Sequence, residues 1–177
     1  MKLKSQRLGW ALLLMWFLLT SLLLFRFGKT DYGEFDPKLQ LQQYPKQLPA
    51  LLSLSGAGAN QTVLLHVLDP TCRCTALAEN HLQQLQPTFV AQPHLLQKSL
   101  TIEQLQAAGI EVPATPLLIM IRNKQLIYSG PYASGPACSV NDSLLDAVLQ
   151  QRISTPGSWL NSETAACRCL NQGPPAA

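Results

Sequence analysis

The chemistry available to this chain of 177 residues is concentrated in five cysteines, Cys72, Cys74, Cys138, Cys167 and Cys169. Four of them form two copies of one tripeptide, Cys-Arg-Cys at 72–74 and again at 167–169. Paired thiols have three uses in a small domain. They exchange disulfides with a partner, they staple the fold, or as thiolates they hold a soft ion such as Cu(I) or Zn²⁺. Against a metal, the region after the N-terminal apolar stretch offers Met120 as its one thioether, and no histidine lies near either pair in sequence. No resident cofactor is therefore expected, with Cu or Zn kept for the alternative. Five is odd, so one sulfur is left over if four pair, and Cys138 is the expected remainder.

These thiols need elements to position them. From Leu8 to Phe25 no residue is charged, and 18 residues at about 1.5 Å each roughly match the hydrocarbon core once flanking side chains snorkel. Lys2, Lys4 and Arg7 precede this stretch, which predicts an N-terminus in the cytoplasm and a single-pass anchor in an inner or plasma membrane. The rest then lies on the periplasmic or another extracytoplasmic side, where cysteines form disulfides. Phe25-Arg26-Phe27-Gly28-Lys29 offers no cleavage-site pattern of small residues, so the anchor is expected to stay uncleaved.

The expected layout is a tail at 1–7, an anchor at 8–27, a tether with a first helix at 28–60, one domain at 61–152 and a cysteine-bearing tail at 153–177. Residues 30 to 177 carry 8 Lys and Arg against 10 Asp and Glu, a net of −2, which argues against nucleic acid as a partner. No glycine-rich phosphate loop, carboxylate pair or Ser-His-Asp set supports a kinase or hydrolase.

Within the domain, Pro45 to Leu54 reads as a helix, and Val63 to Leu68 as a strand buried on both faces. Cys74, Ala78, Leu82 and Leu85 recur at helical spacing, with Cys74 facing inward. Phe89 to Ala91 reads as a short strand. Thr101 and Gln104 form a capping box for a helix over Ile102 to Ala108, with Gly109 as its stop. Leu117 to Ile121 and Gln125 to Tyr128 form a hairpin about Asn123-Lys124, and Asp142 to Gln151 a closing helix. The order is α-β-α-β-α-β-β-α. His81 and His94 read as surface or loop residues.

Two segments, Val63 to Cys72 and Ala114 to Ile119, resemble the thioredoxin superfamily: a central strand running into a nucleophilic cysteine at a helix start, and a cis-proline before an apolar strand and hairpin. Cys72 and Pro116 stand 44 positions apart, which suits a compact member. The resemblance implies an α/β fold with a central mixed sheet flanked by helices, and it covers Val63 to Gln151. It departs from the family at the redox motif, where one residue rather than two separates the cysteines and Thr75 falls where the second would be.

By this resemblance Cys72 attacks, and Cys74 resolves the mixed disulfide. A helix N-terminus lowers a thiol's pKa, and Arg73 adds positive charge. A Cys72–Cys74 bond requires Cys72 to lie outside the first helical turn. His66, six residues before Cys72, either accepts a proton from Cys74 or is a hydrogen-bonded core histidine. Thr115 and Pro116 would shape the groove for the substrate chain.

The tail has three readings. Cys167 and Cys169 fold back to exchange with Cys72 and Cys74 as a relay or lock; they staple the tail to the domain, through Cys138 for example; or the two pairs share a metal. The partners implied are protein thiols or a redox partner protein. The remaining alternatives are a metal-handling or assembly protein and a redox-inert scaffold.

Overall fold

The computed structural model describes residues 2–153 and 157–171. It divides into two compact units, 1–30 and 31–177. The first is one helix, α1 (Lys2–Thr30), long and apolar enough over Gly9–Arg26 to cross a membrane, with none of that span buried. The Thr20 hydroxyl bonds back to the carbonyls of Trp16 and Phe17, which keeps a polar group satisfied within the apolar stretch.

The second unit begins with β1 (Tyr32–Glu34) and a short turn of helix at Gln40–Gln43, followed by α2 (Leu48–Ser55), β2 (Thr62–Val67) and α3 (Arg73–Gln84). Then come α4 (Gln86–Val90), β3 (Leu95–Leu100), α5 (Ile102–Ala107), β4 (Ala114–Thr115), β5 (Leu117–Arg122) and β6 (Gln125–Gly130). The described residues end with α6 (Leu144–Leu149) and three short strands, β7 (Trp159–Leu160), β8 (Ala165–Cys167) and β9 (Cys169–Leu170).

A five-stranded mixed sheet, in the order β3-β2-β5-β6-β7, forms the centre. β2 runs parallel to β3 and antiparallel to β5. Alternate residues of β2 and β5 go to opposite faces. Val63, Leu65, Val67, Leu117, Ile119 and Ile121 pack with α2 and α5, while Leu64, Leu118 and Met120 pack with α3 and α6. Burial on both faces explains why these strands are continuous apolar runs. The β5–β6 turn puts Asn123 and Lys124 at φ 52° and 62°, the left-handed pair that a two-residue hairpin turn demands.

Three expectations need correction. Phe89 to Ala91 is not a strand: Phe89 and Val90 belong to α4, which has Pro87 in its first turn where a missing N–H costs nothing. The neighbouring strand is β3, exposed from Leu96 to Ser99 because it is the sheet edge, so it shows no apolar run. Second, the closing helix is shorter than Asp142 to Gln151, starting at Leu144 because the Ser143 hydroxyl accepts from the Asp146 N–H as its cap. Third, the folded unit is wider than 61–152. Phe35 and Leu41 are fully buried, and the tail supplies β7 to the central sheet, so both flanking segments are part of the domain.

Candidate functional site

Cys72 is the N-cap of α3, in extended backbone conformation at φ −80° and ψ 124°, and Cys74 is fully buried within the first turn. Asp69 shapes the approach. Its side chain accepts from the Thr71 N–H and hydroxyl, and its carbonyl accepts the Thr75 hydroxyl at 2.6 Å. Thr75, at the position where the resemblance would put a second cysteine, thus pins the loop to the helix.

The tail lies between two other short strands. β8 pairs antiparallel with β1, Cys167 opposite Tyr32, and β9 pairs antiparallel with β4, Cys169 opposite Thr115. This threading brings both Cys-Arg-Cys segments together. Cys72 bonds Cys169 and Cys74 bonds Cys167, with S–S distances of 2.07 and 1.93 Å. Cys138 is the free cysteine, buried, its thiol pushed up to about 12 by desolvation, so the tail is not stapled through it.

The Thr115-Pro116 peptide bond is cis. Cys72 Sγ lies 3.5 Å from the Thr115 carbonyl oxygen, and Cys74 Sγ 3.6 Å from that of Asp31. Arg73 reaches the Asp31 carboxylate at 3.7 Å from an exposed position. Arg168 is its opposite, 7% exposed, with its backbone N–H on the Asp31 carbonyl and its Nε on the carbonyl of Glu34. Gly33 makes room for it, since a Cβ there would sit 2.7 Å from Arg168 Nη2. Sequence reasoning missed Asp31, Gly33 and Arg168, because nothing in their local pattern marks a tertiary contact 134 positions away in the chain, as between Arg168 and Glu34.

His66 stands in β2, 4% exposed, with Nδ1 2.8 Å from the Tyr132 hydroxyl. Among the described residues none meets hydrogen-bond geometry at its Nε2. Burial pushes its pKa down to about 4, against a smaller opposing contribution from Gln97. At neutral pH it is a neutral imidazole and a weak proton acceptor. His81 is buried rather than at the surface, because α3 turns it onto the loop before α6. Its Nδ1–H donates to the Cys138 carbonyl at 2.9 Å, which leaves Nε2 to accept from the Ser143 hydroxyl. His94 is exposed.

A family model described as a domain of unknown function (DUF6436) matches residues 38–171. The chain belongs to this family. The DUF6436 match runs through both Cys-Arg-Cys segments and stops one residue beyond β9. No curated protein and no solved structure matches the chain.

Proposed function

We propose that this DUF6436 member is a thioredoxin-like, membrane-anchored protein that exchanges disulfides with extracytoplasmic protein thiols. The observation that carries this reading is the Cys72–Cys169 bond, formed at the start of α3 beside Thr115 and the cis Pro116, with β9 paired to β4. An extended cysteine-bearing strand joined to a helix-capping cysteine is what a mixed disulfide with a protein substrate would look like.

In the reduced chain, the Cys72 thiolate attacks one sulfur of a substrate disulfide. The other substrate sulfur leaves as a thiolate and takes a proton from water. Cys74 then attacks Cys72 Sγ, a Cys72–Cys74 bond forms, and the second substrate thiol departs, two electrons having passed to the substrate. The positive end of α3 favours the Cys72 thiolate. Thr115 and Pro116 line the edge where the substrate chain lies. His66 is assigned a structural part, since a group with a pKa near 4 withdraws little proton from a thiol at neutral pH.

The test is reduction of a protein disulfide by the pre-reduced, full-length chain in detergent. Cys72→Ser should lower the rate by at least about a hundredfold, and Cys74→Ser should accumulate a covalent mixed disulfide. An unchanged rate in Cys72→Ser rejects the mechanism, and slow reduction with no exchange at all leaves a braced scaffold.

A second reading rests on the Sγ atoms of Cys72, Cys74 and Cys169, which lie within 4.8 Å of one another. Opened to thiolates, such a cluster suits Cu(I) or Zn²⁺. Stoichiometric metal after anaerobic purification, lost on replacing any of these cysteines, would favour it over exchange.

A further inference from the structure

The two disulfides are close neighbours, with the Sγ atoms of Cys72, Cys74 and Cys169 within 4.8 Å of one another. They are unequally open to attack. Cys169 is partly exposed, whereas Cys72, Cys74 and Cys167 are buried, with exposures of 5%, 0% and 7%. An incoming thiolate meets the outer bond first, at Cys169. The sulfur it displaces is that of Cys72, and a thiol of lower pKa leaves faster. Cys72 caps a helix of 12 residues, whose positive end favours its thiolate.

We propose that the C-terminal strand is an internal stand-in for a substrate, and that a single external dithiol releases both of its cysteines through a relay within the cluster. This rests on the exchange reading above and adds its regulation. One thiol of the external dithiol attacks Cys169 Sγ, and Cys72 leaves as a thiolate. The second external thiol resolves the mixed disulfide, so that the dithiol becomes a disulfide and Cys169 a thiol. The Cys72 thiolate then attacks Cys74 Sγ. A Cys72–Cys74 bond forms, the Cys74–Cys167 bond breaks, and Cys167 leaves as a thiolate and takes a proton from water.

In total one dithiol is oxidised and one disulfide reduced. Cys72 already lies outside the helical turn, as a bond between i and i+2 requires. The relay frees the tail completely for two electrons, where independent disulfides would need four. Until then β9 occupies the edge of β4, and the substrate edge is closed.

Arg168 reports the opening, because it lies buried between the two tail cysteines, on Gly33 and the Glu34 carbonyl. The oxidised full-length chain in detergent is treated with one molar equivalent of dithiothreitol, alkylated, mapped by mass spectrometry, and in parallel digested briefly with trypsin. The expected product carries alkyl groups on Cys167 and Cys169 and a bond between Cys72 and Cys74. Cleavage after Arg168 should rise at least about tenfold over the untreated chain. Alkylation of Cys72 and Cys169 with Cys74–Cys167 intact would overturn the relay, as would a mixture of fully oxidised and fully reduced chains alone. If the relay product forms but reduced chain fails to exchange with a protein disulfide, the function reading falls and the relay stands. The reverse pattern rejects the relay alone.

Discussion

His66 shows how one buried side chain can set the acid limit of the fold. Its imidazole is held neutral by burial, with a folded pKa of about 4 against 6.5 when free. Between those values the unfolded chain binds the proton that the folded chain refuses, so stability rises with pH across the window. The loss as pH falls from about 6.5 to about 4 is on the order of 3 kcal/mol from this residue. His81, also lowered chiefly by burial, acts in the same direction. His66→Gln cannot titrate, and it should flatten a plot of urea-unfolding free energy against pH over that window while leaving His81's share. A slope identical to that of the parent chain would reject this account. The position of His66 in an apolar strand was legible in sequence, but what surrounds its ring was not. That depended on Tyr132, 66 positions away, and on the sheet around it.

Elements whose signals are local were the most legible. The capping box of α5 is present as expected: the Thr101 side chain accepts from the Gln104 N–H and the Gln104 side chain from the Thr101 N–H. Gly109 follows at φ 74°, the left-handed stop. Thr101→Ala should cost about 1 kcal/mol, read as a lower denaturation midpoint at unchanged slope. No loss would mean that α5 is held by Leu105 in the core rather than by its cap. By contrast β1, β4, β8 and β9 are two or three residues long and carry no periodicity to read. They exist because β1 pairs with β8 and β4 with β9, stretches far apart in the chain, and β3 escaped reading for a similar reason. An edge strand with polar residues in its middle looks like a loop until its neighbour is known.

On the scale of the whole molecule, the two disulfides join positions 97 and 93 residues apart. On the chain-entropy view, closing a span of about 100 residues is worth about 4.7 kcal/mol. One span, 74–167, lies wholly inside the other, 72–169, so the second bridge adds less than the first, and opening one need not unfold the sheet. Topology in the membrane is the other property of this scale. The basic residues before α1 predict an N-terminus inside, an insertion that would put the folded unit on the side where disulfides persist. Asn60 is exposed, so Asn60→Cys should react with a membrane-impermeant maleimide in intact spheroplasts. Labelling only after the membrane is broken would reverse the orientation.

By itself the sequence determined an apolar helix long enough to span a bilayer, the buried central strands, the hairpin turn and the capped start of α5. Period, turn chemistry and caps are written in consecutive residues. It also brought Cys72 to a helix start and left one cysteine over. Which sulfurs bond was open, because four cysteines allow three pairings and none is marked in the chain. Tertiary structure decided it by laying one strand segment, Ala165 to Leu170, between β1 and β4. Bond formation depends on distance in space, and only the folded chain brings Cys167 and Cys169 within reach of Cys74 and Cys72.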